Sequence, residues 1–231
     1  MQQLLSWSTL LFILEDFPML LVIVASVWGI VCFRQLPPSL RALTLLVCFD
    51  AVMETTGLIL LWLKIPNLFL FPIAIVGEAG LLLLLYVRAL QSSFLKRLAP
   101  WVTGLLVAYA LFDSWLIPGI VRFHPSLQVI SDLLSLALGG LYFRKLMDEL
   151  YVARPVRDPL FWISAGLVFT SLGNLLISLF SNYLLQNYPQ QLNMYVWRIH
   201  TVLVGLLYSC YCVALWLRPQ QAPQGTHLRA S

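Results

Sequence analysis

The chain has 231 residues with a mean hydropathy of +0.86, and 60% of its side chains are apolar while only 10% are charged. Soluble domains average about 45–50% apolar and about 25% charged residues, so this composition excludes an ordinary soluble domain. The formal net charge of +4 does not indicate a nucleic-acid partner, because the basic residues concentrate in short loops, where they report membrane orientation.

Seven stretches of the chain are long and apolar enough for membrane helices, which need about 20 mostly apolar residues. We predict one all-α domain of seven transmembrane helices, over residues 17–33, 42–63, 68–87, 99–117, 125–143, 159–180 and 195–217. Breaker residues, Pro100 among them, are expected in the connections, and Pro18 marks a bend after a segment that lies at the interface or extends the first helix. Residues 218–231 are polar and are expected to form a disordered cytoplasmic tail.

Lys and Arg residues are distributed unevenly between the two sides of these spans. Eleven of the 14 fall on one side, and only Lys64, Arg122 and Arg198 fall on the other. Loops rich in Lys and Arg stay in the cytoplasm, so we predict the N-terminus outside and the C-terminus inside a lipid bilayer. A bacterial inner membrane is the expected location.

Ionisable side chains inside the predicted spans are candidates for a functional site, because each costs at least about 2.5–3.5 kcal/mol on insertion scales. The main candidates for ligand binding or proton coupling are Glu54, Glu78, Asp132, Asn174 and Arg198, and the secondary candidates are Asp50 and His200. At about 1.5 Å of rise per residue, the main candidates lie about 5–15 Å below the outer ends of their spans. We therefore predict a polar, acidic pocket in the outer half of the bundle.

Helical spacing indicates which polar residues share a face. Asp50, Glu54 and Gly57 recur at i, i+4 and i+7 on the second helix. Polar stripes on the fifth and sixth helices contain Asp132 and Asn174. Three polar faces cannot all point at lipid, so we expect them to converge on the interior of the bundle. The small Ser and Gly residues in these stripes also suit ordinary helix packing.

The predicted pocket has more acids than cations. Three acids, Glu54, Glu78 and Asp132, would meet one cation, Arg198. We expect Arg198 to pair with one carboxylate, and Glu78 is the favoured partner. The remaining acids must be protonated, share a proton or bind a cation from outside. His200 lies about 200° around the seventh helix from Arg198, so we expect it to pack apart from this cluster.

Several function classes lack their motifs in this chain. The seventh helix contains no Lys for a retinal Schiff base, and only His200 of the three histidines lies inside a span, which argues against a multi-histidine zinc site. No GxSxG, HExxH, Walker or GxGxxG pattern occurs. We therefore predict that the protein is not an enzyme and that it has no cofactor and no metal site.

Four short segments form a pattern along residues 50 to 215. They are AVMETTG with Glu54, IPNLFLFPIAIVGEAGLLLLLY with Glu78, DPLFWISAGLVFTSLGNLL with Asn174, and YVWRIHTVLVGLLYSCYC with Arg198. Together they resemble an uncharacterised group of small seven-helix membrane proteins from Bacteroidota. The resemblance implies a fold and a membrane location and brings no known activity. It also implies that these four polar residues belong to a shared pattern.

Two classes of function fit this arrangement. The leading hypothesis is a receptor-like or sensory protein with an outward-opening pocket. Its signal would pass to a cytoplasmic or membrane partner through the basic inner loops, especially residues 144–158. The alternative is a small secondary transporter or proton-coupled carrier that uses carboxylates near the midplane, although no internal repeat is evident. An intramembrane enzyme ranks last, because the sequence offers no nucleophile or metal set.

Overall fold

A computed structural model describes residues 2–116, 125–148, 155–187 and 190–217 of the chain. These residues form helices and no strand, and the seven α-helices are α1 (Gln2–Cys32), α2 (Pro38–Trp62), α3 (Leu70–Leu90), α4 (Ser93–Leu116), α5 (Pro125–Asp148), α6 (Pro159–Asn187) and α7 (Gln190–Trp216). Short 3-10 turns precede α2 and α6. The tail that we expect to be disordered, residues 218–231, lies outside the described residues.

The prediction of seven spans is confirmed. Each of the seven α-helices contains a segment long and apolar enough to cross a bilayer, with mean hydropathies from 1.2 for α4 to 2.2 for α3. Helical segments satisfy their backbone polar groups internally, which is the requirement that a lipid environment imposes. The chain is accordingly an all-helical, multi-pass membrane protein whose environment is the lipid bilayer.

Among the described residues, Pro18 and Pro100 lie in the interior of helices. Pro18 lies within α1, which continues from Gln2 without a break, so the segment before it extends the first helix. The prediction that Pro100 lies in a connection is wrong, because α4 begins at Ser93 and contains Pro100. A proline removes only one backbone donor, and neighbouring groups in a membrane bundle can compensate for the carbonyl that is freed.

Six of the helices pack in a ring, in the order α1, α2, α3, α5, α6 and α7, and α7 packs against α1 to close it. At that closure Trp28 and Trp216 stack with their ring centroids 5.4 Å apart. The remaining helix, α4, packs mainly on α3, and only 17% of its membrane segment is buried. α4 therefore lies at the periphery, whereas Glu54, Glu78 and Asp132 lie on helices of the ring.

Glycines bring α6 close to both of its neighbours. A Cβ atom added at Gly139 of α5 would lie 2.6 Å from Cγ2 of Val168 on α6. A Cβ atom added at Gly166 of α6 would lie 2.8 Å from Cβ of Cys210 on α7. Small residues at helix contacts let backbones approach closely in membranes, so these glycines fix the spacing of α5, α6 and α7.

Candidate functional site

A cavity of about 410 Å³ lies between α2 and α3 and reaches Tyr208 of α7. Its lining includes three carboxyl groups, those of Asp50 and Glu54 from α2 and of Glu78 from α3. Among the described residues that line the cavity, none is basic. We call this space the acidic cavity.

Helix geometry explains why these acids meet. Asp50, Glu54 and Gly57 share one face of α2, and all three line the acidic cavity. Glu54 lies eight residues before the end of α2, and Glu78 lies eight residues after the start of α3. Since the short connection makes α2 and α3 antiparallel neighbours, the two glutamates lie at one level, about 12 Å along the helices from the connection.

The acids lie at one end of the cavity, and the connection between α2 and α3 borders the opposite end, where Asn67 and Leu68 join the lining. The Nδ2 atom of Asn67 donates a hydrogen bond of 3.5 Å to the carbonyl oxygen of Gly57. Lys64 adopts a left-handed conformation, with φ of 55°, as the chain leaves α2. The connection is thus tied back to α2 at the end of the acidic cavity.

A buried polar network joins α5, α6 and α7. Asp132 is only 4% exposed, and Nε2 of Gln128 lies 3.3 Å from each of its carboxylate oxygens. The side chain of Asn174 also hydrogen-bonds Asp132. The Nδ1 atom of His200 lies 2.9 Å from Oδ1 of Asn174, a pairing in which the imidazole N–H donates. Two main candidates and one secondary candidate from the sequence therefore belong to this network.

The expectation that His200 packs apart from the polar residues is wrong, because it hydrogen-bonds Asn174. α7 packs against both α1 and α6, so more than one of its stripes faces protein. One turn along from His200, the carbonyl oxygen of Leu203 accepts a hydrogen bond from Thr170 of α6. The stripe with His200 thus faces α6, a direction that the helical wheel of α7 alone does not reveal.

Glu78 interacts electrostatically with acids of both the acidic cavity and the polar network. The carboxyl groups that act on it electrostatically are those of Asp132, in the network, and Glu54, in the cavity. Asp50 interacts in the same way with Glu78 and Glu54. Four carboxyl groups from α2, α3 and α5 therefore form one interacting set.

Arg198 lies outside the lining of the acidic cavity. It borders a separate recess together with Ile199, Val202 and Leu203. The structure therefore brings Glu54 and Glu78 together at the cavity but does not add Arg198 to them. The pairing of Arg198 with Glu78 stays a prediction.

Among the described residues, no group of three His, Cys, Asp or Glu side chains is arranged to hold a metal ion.

The chain matches no family model, no curated protein and no solved structure. The resemblance to seven-helix proteins of Bacteroidota stays a prediction.

Two tyrosines at the site were missed by the sequence reasoning. Tyr208 lines the acidic cavity, and Tyr211 is fully buried with a hydroxyl group that has no hydrogen-bond partner among the described residues. A signal for Tyr208 was present, since it lies three residues after Gly205 and four before Cys212, on the polar stripe of the seventh helix. Tyr211 lies three residues after Tyr208 and on the stripe of His200, so helical spacing carried a signal for it as well.

Proposed function

We propose that the protein is a receptor-like membrane protein that binds a positively charged organic ligand in the acidic cavity. The supporting observation is that three carboxyl groups line a cavity of about 410 Å³, without a basic residue among the described residues of the lining. Ligand pockets commonly have volumes of about 300–1,000 Å³. A bound cation would offset the mutual repulsion of the acids and give partly desolvated carboxylates a partner.

The outer side of the membrane is the proposed source of the ligand. The uneven distribution of Lys and Arg favours an external connection between α2 and α3, and the cavity extends to that connection. The proposed location is a bacterial inner membrane, with the N-terminus outside. A signal would leave through the inner loops, especially residues 144–158, toward a cytoplasmic or membrane partner.

Binding of organic cations to the purified protein in nanodiscs tests this proposal by calorimetry. Propylammonium and tetramethylammonium are expected to bind, and propionate is not. The double variant Glu54→Gln/Glu78→Gln should lose at least about tenfold in affinity, because charge-assisted hydrogen bonds contribute about 1.5–3 kcal/mol. Asp148→Asn is the matched control, since it removes an exposed carboxylate that lies 3.9 Å from Nε of Arg144. Unchanged affinity in the double variant, or no cation binding at all, would contradict the proposal.

A proton-coupled carrier is the second candidate, and the polar network favours it. Glu78 at the cavity interacts electrostatically with Asp132, and hydrogen bonds join Asp132 to Asn174 and Asn174 to His200. Protonatable residues of this kind inside the membrane are typical of proton relays. In proteoliposomes that contain a pH-sensitive dye, a propylammonium gradient would then move protons. Asp132→Asn should stop this movement and retain binding. Binding without any flux would instead favour the receptor.

A further inference from the structure

The acidic cavity is elongated along the axis of α2. Its lining on this helix begins at Asp50, passes Gly57 and ends at Leu61. These residues lie at helical spacing over three turns, and at about 1.5 Å of rise per residue they span about 16 Å. The space is therefore a slot between two helices, long enough for a ligand with a head and a tail.

Polar and apolar residues are segregated along this slot. The three acids lie at one end, because Glu54 and Glu78 share a level and Asp50 lies one turn farther from the connection. Between the acids and Asn67 at the connection the lining is apolar or glycine, and it includes Leu58, Leu61, Leu68 and Phe71. The slot thus offers anionic groups to one end of a ligand and hydrocarbon contacts to the rest.

One tyrosine adds a feature of its own at the acidic end. Tyr208 lies in the lining, interacts electrostatically with Asp50, Glu54 and Glu78, and carries a ring of the kind that attracts ammonium groups. The slot thus offers both carboxyl groups and an aromatic ring to a cationic head.

We infer that the acidic cavity binds an amphiphilic amine, with its ammonium group among Asp50, Glu54 and Glu78 and its apolar tail between α2 and α3. This inference rests on the proposed function and names the ligand class. The amine is a soluble one without an acidic group. A phospholipid amine would bring a phosphate within two carbon atoms of its nitrogen, and three carboxylates would repel that phosphate.

A series of straight-chain amines from ethylamine to hexylamine tests the inference in phosphatidylcholine nanodiscs, with the matching alcohols as controls for partition into lipid. The affinity of the amines should rise about fourfold for each added methylene, the factor expected for burying that group. The alcohols should not bind. Adding phosphatidylethanolamine to the nanodiscs should leave the affinities unchanged, and competition by this lipid would overturn the choice of a soluble amine.

Gly57 provides a variant that blocks the tail and spares the acids. A Cβ atom added at Gly57 meets no atom within 4 Å, so the leucine of Gly57→Leu can enter the slot without a clash at its Cβ atom. In this variant the affinity should no longer rise from ethylamine to hexylamine. Gly104→Leu is the matched control, because Gly104 is an exposed glycine of α4 with equally open space. It should preserve the dependence on tail length.

The outcomes separate this inference from the proposed function. If amines of all lengths bind equally and Glu54→Gln/Glu78→Gln weakens them, the ligand is a cation without a required tail, and only the inference is overturned. A tail dependence that persists in Gly57→Leu also overturns the inference, since the tail then lies elsewhere. If no amine binds, the inference is overturned, and the proposed function is overturned with it when tetramethylammonium does not bind either.

Discussion

Buried hydroxyl and amide groups join the helices of this bundle at particular residues. The hydroxyl groups of Tyr86 on α3 and Ser164 on α6 lie 2.7 Å apart, and both residues are fully buried. Asn174 and His200 join α6 to α7 in the same way. Because hydrocarbon offers no alternative partner, such pairs specify which faces of the helices meet.

The bond between Tyr86 and Ser164 should contribute to the stability of the bundle. Ser164→Ala leaves the buried hydroxyl of Tyr86 without this partner, so we expect a loss of about 1–3 kcal/mol in the free energy of unfolding. Ser209→Ala is the control, because the half-buried Ser209 donates only to the carbonyl oxygen of Gly205 in its own helix. Unfolding by denaturing detergent measures both variants, and equal losses would contradict the prediction.

Asn174 and His200 should be energetically coupled. In a double-mutant cycle with Asn174→Leu and His200→Leu, we expect a coupling of about 0.5–1.7 kcal/mol, the range of hydrogen bonds between membrane helices. A second cycle combines His200→Leu with Thr44→Ala, since Thr44 bonds to Leu40 within α2 and lies near the opposite end of the bundle. That cycle should be additive. Additivity in both cycles would show that the bond of 2.9 Å does not stabilise the fold.

Among the helices, the close approach of α5 and α6 brings two residues of the polar network, Asp132 and Asn174, within hydrogen-bonding reach of each other. Asp132 on α5 and Asn174 on α6 meet along the same contact at which Gly139 packs against Val168. A larger residue at this contact must push the helices apart or distort a side chain, since packed interiors have little free volume. The glycine therefore contributes to the site without being part of it.

Adjacent glycines of α5 should respond oppositely to substitution. Gly139→Ala places a Cβ atom 2.6 Å from Cγ2 of Val168, and overpacking of this kind costs about 1–3 kcal/mol. Gly140→Ala meets nothing within 4 Å and should be neutral or slightly stabilising, because alanine favours the helix. The free energy of unfolding of both variants provides the comparison. A loss at Gly140→Ala as large as at Gly139→Ala would show that backbone flexibility, and not packing, matters here.

At the scale of the whole molecule, the ring of six helices leaves α4 outside and places the acidic cavity between two consecutive helices. The cavity extends to their connection, so the side of the membrane that this connection faces decides where a ligand enters. Lys64 lies in the connection between α2 and α3, and Gln91 lies in the next connection, between α3 and α4. These two positions are on opposite sides of the membrane.

Labelling of single cysteines should give the orientation. The four native cysteines, Cys32, Cys48, Cys210 and Cys212, are first replaced by alanine. In intact cells a membrane-impermeant maleimide should then label Lys64→Cys, and it should label Gln91→Cys only after permeabilisation, as the distribution of basic residues requires. The reverse pattern would place the opening of the acidic cavity on the cytoplasmic side.

The seven helices and the shared face of α2 could be predicted from the amino-acid sequence alone. A span is set by the length of an apolar run, because each backbone polar group must be satisfied within the helix. The face with Asp50, Glu54 and Gly57 follows from the helical repeat, which fixes angles about the axis of one helix. These are local properties, so sequence reasoning reaches them without knowledge of the neighbouring helices.

Which helix faces meet could not be predicted in this way and is known from the tertiary structure. It paired His200 with Asn174, added Tyr208 to the acidic cavity and left Arg198 outside the lining. It also made α4 peripheral while α7 packs against both α1 and α6. A helical wheel gives the angle between residues of one helix but not the rotation of that helix against its neighbours. That rotation depends on contacts between residues far apart in the chain, such as Gly166 with Cys210, which no local pattern encodes.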